Sequence, residues 1–210
     1  MNSIFKVENL SIGYQKKNPI LENINLELKR GEISCLLGAN GSGKSTFVKS
    51  LSKLIKPVSG SISYSNPCNI SIVPQYKKMQ MHYPLKVKDV LKLSNKFNFF
   101  AKRNPDDESL ISRMGIESIQ NLLLKECSGG QLQKVLIARS LLSNANLIFL
   151  DEPLDALDIN SKKLIVEILL EQAKEFQKTF FIITHNIDSE WLNNFNRVFQ
   201  INEKSIIEKK

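Results

Sequence analysis

The chain has 210 residues, 42% hydrophobic and 24% charged, which is enough for one large domain or two small lobes and close to the usual composition of soluble globular proteins. Its apolar runs fall short of the roughly 20 residues needed to cross a bilayer, and Glu8 stands where a secretory leader would carry its apolar segment; the expectation is a protein made and kept in the cytosol. The net charge of +8 lies on scattered lysines and short pairs such as Lys16-Lys17, Lys77-Lys78 and Lys162-Lys163, with arginine scarce. That pattern reads as a solvated surface rather than a nucleic-acid stripe, and it also suits work beside anionic lipid headgroups.

Taken in chain order, the first elements read as β. Ile24, Leu26 and Leu28 alternate with polar residues, Arg30-Gly31 turns, and Ile33 to Leu37 reads as a buried strand. Gly38-Ala39-Asn40-Gly41-Ser42-Gly43-Lys44-Ser45-Thr46 follows and fits G-x-x-x-x-G-K-[ST] at every specified position. Beyond it Phe47, Val48, Leu51, Leu54 and Ile55 recur at helical spacing. A strand, a glycine loop and a helix start make a nest of backbone N–H groups at the positive end of a helix dipole. Such a nest binds a polyphosphate, with Lys44 reaching the β- and γ-phosphates and the Ser45 hydroxyl placed to ligate Mg²⁺. The chain is expected to bind a nucleoside triphosphate.

Pro57 to Gly60 ends the first helix, Ser61 to Tyr64 resumes a strand, and Ile70 to Val73 forms another that stops at Pro74. From about Pro84 to Leu142 the pattern is helical, with Val87, Val90, Leu91, Leu110, Ile111, Met114, Leu122 and Leu123 as core candidates and Asn104 to Asp107 as a helix entry. Cys127-Ser128-Gly129-Gly130-Gln131 offers a second small-residue phosphate cradle at a helix start, with Ser128 as N-cap. Leu147 to Leu150 is an apolar strand that delivers Asp151 and Glu152 at its C-terminal end. Asp151 would hold Mg²⁺ through water, and Glu152 would polarise the water that attacks the γ-phosphate. Ser161 to Phe176 follows as an amphipathic helix, Phe180 to Thr184 as a buried strand, and Arg197 to Glu208 as a pair of short strands. Cys35, Cys68 and Cys127 are odd in number and lack C-x-x-C spacing, so neither a disulfide framework nor a zinc site is expected.

The phosphate loop, Gln75, the Ser128-Gly129-Gly130-Gln131 segment, the Asp151-Glu152 strand and His185, in this order, give a chain that resembles the ATP-binding-cassette (ABC) ATPases over nearly its whole length. The resemblance implies an α/β fold, a P-loop NTPase core of ABC type with an N-terminal antiparallel β region and a helical subdomain insertion. It implies a single ABC ATPase domain over 1–210, with the RecA-like core and antiparallel β region at about 1–78 and 140–210 and the helical subdomain at about 79–139. ATP and Mg²⁺ are the implied cofactors. Tyr14 matches the aromatic that stacks on adenine, and Gly38 to Thr46 holds the phosphates. Gln75 matches the residue that senses Mg²⁺ and the attacking water, and His185 the switch histidine at the γ-phosphate. Asp158 matches the aspartate that closes the loop Pro153 to Asp158. Catalysis falls on Lys44, Gln75, Glu152 and His185, and the metal on Ser45, Gln75 and Asp151. Ser128, Gly129, Gly130 and Gln131 would close over ATP held by a second copy, in a head-to-tail dimer with two nucleotides between the copies. Two departures stand out: Cys127 replaces the usual leucine, with sensitivity to thiol reagents as the expected consequence, and Leu154 replaces a threonine or serine.

A single cassette without a long heptad insertion resembles the detachable motor of a transporter, peripheral on the cytoplasmic face of the inner or plasma membrane. Integral membrane permease subunits, gripped by Gln75 to about Leu93, and an extracytoplasmic metal-binding protein are the implied partners. His82 to Leu91 looks like the corresponding region of zinc or manganese importers, although His82 by itself reads as incidental, and zinc is the favoured cargo. Importers of iron-siderophore type share much of the pattern. A soluble cassette acting on a nucleic-acid or ribosomal complex is the rival reading.

Overall fold

Strands that are apolar at every position need cover on both faces, and the architecture supplies it. The computed structural model describes residues 3–15, 17–75, 84–94, 105–186 and 189–210. Strands β1 (Ser3–Ile12), β2 (Leu21–Lys29), β3 (Ile33–Leu37), β4 (Ser59–Tyr64) and β5 (Ile70–Val73) come from the first third of the chain; β6 (Leu147–Asp151), β7 (Thr179–Thr184), β8 (Arg197–Asn202) and β9 (Ser205–Glu208) come from the last. Six of them form a sheet in the order β5-β6-β7-β3-β8-β9, parallel except for the terminal β8–β9 pair. The other three form an antiparallel sheet in the order β2-β1-β4. This is the mixed α/β architecture that the sequence predicted.

Successive residues of a strand point to opposite faces, and here each face has its own core. Leu147, Phe149, Phe181, Ile183 and Phe199 face the antiparallel sheet, beside Phe5 and Phe47. Ile148, Leu150, Phe180, Ile182 and Val198 face the helices. On the first face Phe181 is the hub of an aromatic cluster, with ring centroids 6.0 Å from Phe149, 6.2 Å from Phe47 and 6.3 Å from Phe5. All three contacts are edge-to-face, an arrangement that adds about 0.5–1.5 kcal/mol per pair to the burial of the rings. The face anchors the phosphate-loop helix through Phe47.

The helices are α1 (Lys44–Leu51), α2 (Val87–Lys92), α3 (Pro105–Arg113), α4 (Gly129–Leu141), α5 (Ile159–Phe176) and α6 (Ser189–Leu192). Two expectations are corrected. The first helix stops at Leu51, not near Pro57: Lys53 turns left-handed with a φ of 60°, the Ser52 hydroxyl donates to Val48 O, and Leu54 is left 65% exposed. Between α3 and α4 the chain forms short 3-10 turns at Glu117–Ile119 and Leu124–Glu126 instead of a helix. The Glu126 carboxylate accepts from Leu123 N at 2.7 Å, which holds Leu123 extended, and Ile119 and Leu124 take the core places expected of Leu122 and Leu123. Val87, Val90, Leu91, Leu110, Ile111 and Met114 are buried as expected. His82 and Tyr83 lie outside the described residues.

Candidate functional site

Parallel strands deliver their ligand-binding loops at one edge, beyond their C-terminal ends. At that edge β3 runs into Gly38–Gly43, β5 ends two residues before Gln75, β6 ends at Asp151 with Glu152 next, and β7 ends just before His185. The sheet order therefore brings residues from distant parts of the sequence to one place. A cavity of about 440 Å³ opens there, lined by Ile20, Asn40, Gly41, Gly43, Lys44, Ser45, Thr46, Gln75 and Glu152.

The loop is built around two left-handed glycines. Gly41 has a φ of 80° and Gly43 a φ of 100°; a β-carbon on Gly43 would come within 2.6 Å of Ile20 Cγ2. Only glycine adopts this path without strain or collision. Lys44 donates its ammonium to Gly38 O at 2.6 Å and Ala39 O at 2.8 Å, so the loop itself holds the charge beneath the cavity. Phe47 N bonds to Gly43 O at 2.8 Å, the first turn of α1, whose dipole adds positive potential at the loop. Ser42 places its hydroxyl under Gly38.

Acidic groups meet this basic floor from the neighbouring strands. Ser45 Oγ donates to Asp151 Oδ2 at 3.0 Å, pairing a hydroxyl and a carboxylate oxygen, the donors a hard cation such as Mg²⁺ takes. Gln75 Nε2 donates to Glu152 Oε2. The other Glu152 oxygen faces His185 Nδ1 at 3.3 Å. Glu152 itself has a φ of 50°, a left-handed conformation that costs a residue with a β-carbon about 1–2 kcal/mol. Its N–H bonds to Ile183 O at 2.8 Å, which ties the strained turn to β7.

The remaining residues singled out from sequence lie around this centre. Ser128 caps α4 as expected: Gln131 N donates to Ser128 Oγ at 3.2 Å and Ser128 N donates to Gln131 Oε1 at 2.8 Å. Gly129 and Gly130 open the helix, and a β-carbon on Gly130 would stand 3.1 Å from Ala156 O, so the cradle lies against the loop after Glu152. None of these four lines the cavity. Asp158 caps α5, accepting from Ser161 N at 2.9 Å and Ser161 Oγ at 2.7 Å; these hydrogen bonds hold its carboxyl below the usual aspartate range. Tyr14 is 68% exposed and stands away from the lining, where Ile20 is the apolar residue. Ile20 escapes sequence reasoning because an isoleucine before a strand carries no chemical signal; the clash it would make with a side chain at position 43 is visible only in space.

The description "ABC transporter" belongs to the family whose profile matches residues 21–155. The chain is 34% identical over 188 residues to the zinc import ATP-binding protein ZnuC of Buchnera aphidicola subsp. Acyrthosiphon pisum, covering 90% of this chain and 76% of that one. It superposes with a TM-score of 0.80 and 31% identity on CbiO1 from Clostridium perfringens, part of the ABC transporter complex CbiONQ, over 99% of this chain and 88% of that one. It matches a dimeric post-hydrolysis structure of the ATP-binding cassette MJ0796 bound to ADP and Pi with a TM-score of 0.83 and 25% identity, over 99% of this chain and 98% of that one.

Proposed function

The chain belongs to the ABC transporter family, as an ATPase of it, and we propose that it is the nucleotide-hydrolysing subunit that drives import of a divalent metal, with zinc as cargo. The observation that carries the ATPase reading is the meeting of Ser45 with Asp151 and of Gln75 with Glu152 at the mouth of one cavity above a glycine loop. The zinc reading draws its support from the name of the Buchnera relative.

In this reading the loop N–H groups and Lys44 cradle the β- and γ-phosphates. Ser45, Gln75 and Asp151 would hold Mg²⁺, which when bound would supply positive charge against the phosphate oxygens. Glu152 accepts a proton from the attacking water, and Gln75, bonded to its far oxygen, fixes the direction in which the near one points. His185 stands beside Glu152, at the edge where the γ-phosphate would emerge. Ile20 borders the base, and Tyr14, exposed outside the lining, would have to swing in to stack on it.

The cavity of one chain would leave the outer side of a triphosphate open, since the Ser128–Gln131 helix start is not part of its lining. We propose that this helix start completes the pocket of a second copy, where its dipole and hydroxyl stabilise charge in the transition state. The dimeric MJ0796 cassette supports that arrangement. The segment about 79–139 would then meet membrane permease subunits, as the membership of CbiO1 in a transporter complex supports, with the chain peripheral on the cytoplasmic face. Among the described residues no helix is long and apolar enough to cross a membrane. An extracytoplasmic metal-binding protein completes the proposed system.

The test is growth under zinc chelation in cells lacking the chromosomal copy. Wild type restores growth and Lys44→Ala does not; equal rescue by both would refute the motor, and rescue by manganese or iron alone would refute the cargo.

A further inference from the structure

We infer that Glu152, Asp155 and His185 form a second cation site, one that takes a first-row divalent transition metal such as zinc and silences hydrolysis while it is filled. One ligand atom from each of the three lies within 4.8 Å of the others. An ion bound at about 2.0–2.2 Å from each donor draws them to a mutual spacing of ~3.4 Å, which small side-chain rotations supply. A set of one imidazole and two carboxylates suits zinc and its neighbours better than Mg²⁺, which takes oxygen donors in a strict octahedron.

Each donor has the freedom or the fixity the site requires. The Glu152 side chain is 10% exposed and is anchored by Gln75, so it forms the floor. His185 is 41% exposed and meets Glu152 Oε1 through Nδ1 at 3.3 Å, close to the spacing that two ligands of one ion adopt, so an ion would replace this contact. Asp155 is exposed, and its carboxylate has no hydrogen-bond or ion-pair partner among the described residues. Asp155 and His185 also border a cavity of about 250 Å³, backed by Trp191 and Phe195, that gives an ion a way in from solvent. Lys162 borders the same cavity and would have to turn aside for an entering ion.

A metal held here occupies the carboxylate oxygen that would take the proton of the attacking water. The regulatory half of this inference rests on the role of Glu152 proposed above; the binding half rests on the three donors alone. Because the ion class is that of the proposed cargo, metal accumulating on this side of the membrane would stop its own import.

The test uses the full, nucleotide-free chain titrated with Co²⁺ alone, followed by visible absorption and displacement with Zn²⁺, and separately MgATP hydrolysis at buffered free zinc. Wild type binds one Co²⁺ with nitrogen and oxygen ligands, and zinc inhibits its hydrolysis reversibly. Asp155→Asn hydrolyses ATP at the wild-type rate without zinc and needs about 10-fold more zinc, or above that, both for binding and for inhibition. Equal zinc sensitivity in the two proteins, or no Co²⁺ spectrum in wild type, overturns the site. Binding lost with Asp155→Asn but no inhibition of wild type overturns the regulation. A wild type that never hydrolyses ATP strikes the ATPase reading and leaves the Co²⁺ result to judge the site.

Discussion

Ser45 and Asp151 are 106 positions apart in the chain, yet Ser45 Oγ donates to Asp151 Oδ2 at 3.0 Å. The bond spans a strand: β7 lies between β3, which leads into the loop of Ser45, and β6, which ends at Asp151. Two oxygen donors are thus assembled by the sheet order before any ligand arrives. Ser45→Ala is expected to raise the Mg²⁺ concentration for half-maximal hydrolysis by about 10-fold or more, while stability falls by only about 1 kcal/mol. A Mg²⁺ titration of ATPase activity, read beside a thermal melt, checks both.

Glu152→Gln keeps the shape of the side chain and its contact with Gln75 but removes the proton acceptor. Hydrolysis is expected to fall by roughly 10²–10⁴-fold with ATP still retained, so that a nucleotide-filled dimer accumulates. Size-exclusion chromatography with and without ATP reads the outcome; a variant that stays monomeric in ATP contradicts it.

Ser128 has a local task and a proposed remote one, and two substitutions separate them. Ser128→Ala removes the cap of α4 and should cost about 0.5–2 kcal/mol. Ser128→Asp keeps a capping oxygen, so stability should hold, but its charge would repel the partner's γ-phosphate and abolish hydrolysis. Denaturation and ATPase assays on the pair decide whether the cap or the phosphate contact matters for turnover.

Lys178 donates to Leu141 O at 2.6 Å and Ser143 O at 3.1 Å, closing the C-terminal end of α4. Burial lowers its ammonium to about 8 from the ordinary lysine value of 10.5, against the opposing pull of Asp107. Between those two values the unfolded chain binds more protons than the folded one, so the stability linked to this group rises as pH climbs from about 8 to 10.5 and is lost on falling through 8. Lys178→Met removes that slope. The difference between wild-type and variant denaturation curves should change across this window by on the order of 1–3 kcal/mol.

The surroundings of Cys127 argue against the thiol sensitivity expected from its place in the sequence. Burial, with the nearby Glu126 charge, raises its thiol above the ordinary range, and its Sγ lies 3.6 Å from Leu123 O. Since the thiolate is the reacting form, alkylation at pH 7 is expected to be slow and to leave ATPase activity unchanged. Cys35, pushed to about 12 by burial, and Cys68, also raised by burial, should be slower than a free thiol as well. Mass spectrometry of timed alkylation, with activity measured on the same samples, tests this.

Much of this molecule is legible from residue spacing because its strands and its phosphate loop carry strong local signals. Phe180 to Thr184 is apolar at nearly every position, which only a strand covered on both faces tolerates, and Gly41 and Gly43 stand where the backbone turns left-handed. The region from Pro84 to Leu142 is harder to read. Leu122 and Leu123 have the composition of helix core, but a single carboxylate, Glu126, bonds the Leu123 backbone and turns the chain before a helix can form. Leu54 is lost to the core for a comparable reason, the left-handed turn at Lys53. At the site, residues whose chemistry is unusual announce themselves; Ile20 and Asp155 do not. Their importance comes from what the fold sets beside them.

The left-handed backbone at Glu152 sets turnover against folding. A glycine there would relieve about 1–2 kcal/mol of backbone strain, yet it would forfeit the hydrogen bond from Gln75 and the contact with His185. The turn that aims the carboxylate is thus a spring kept bent by its neighbours.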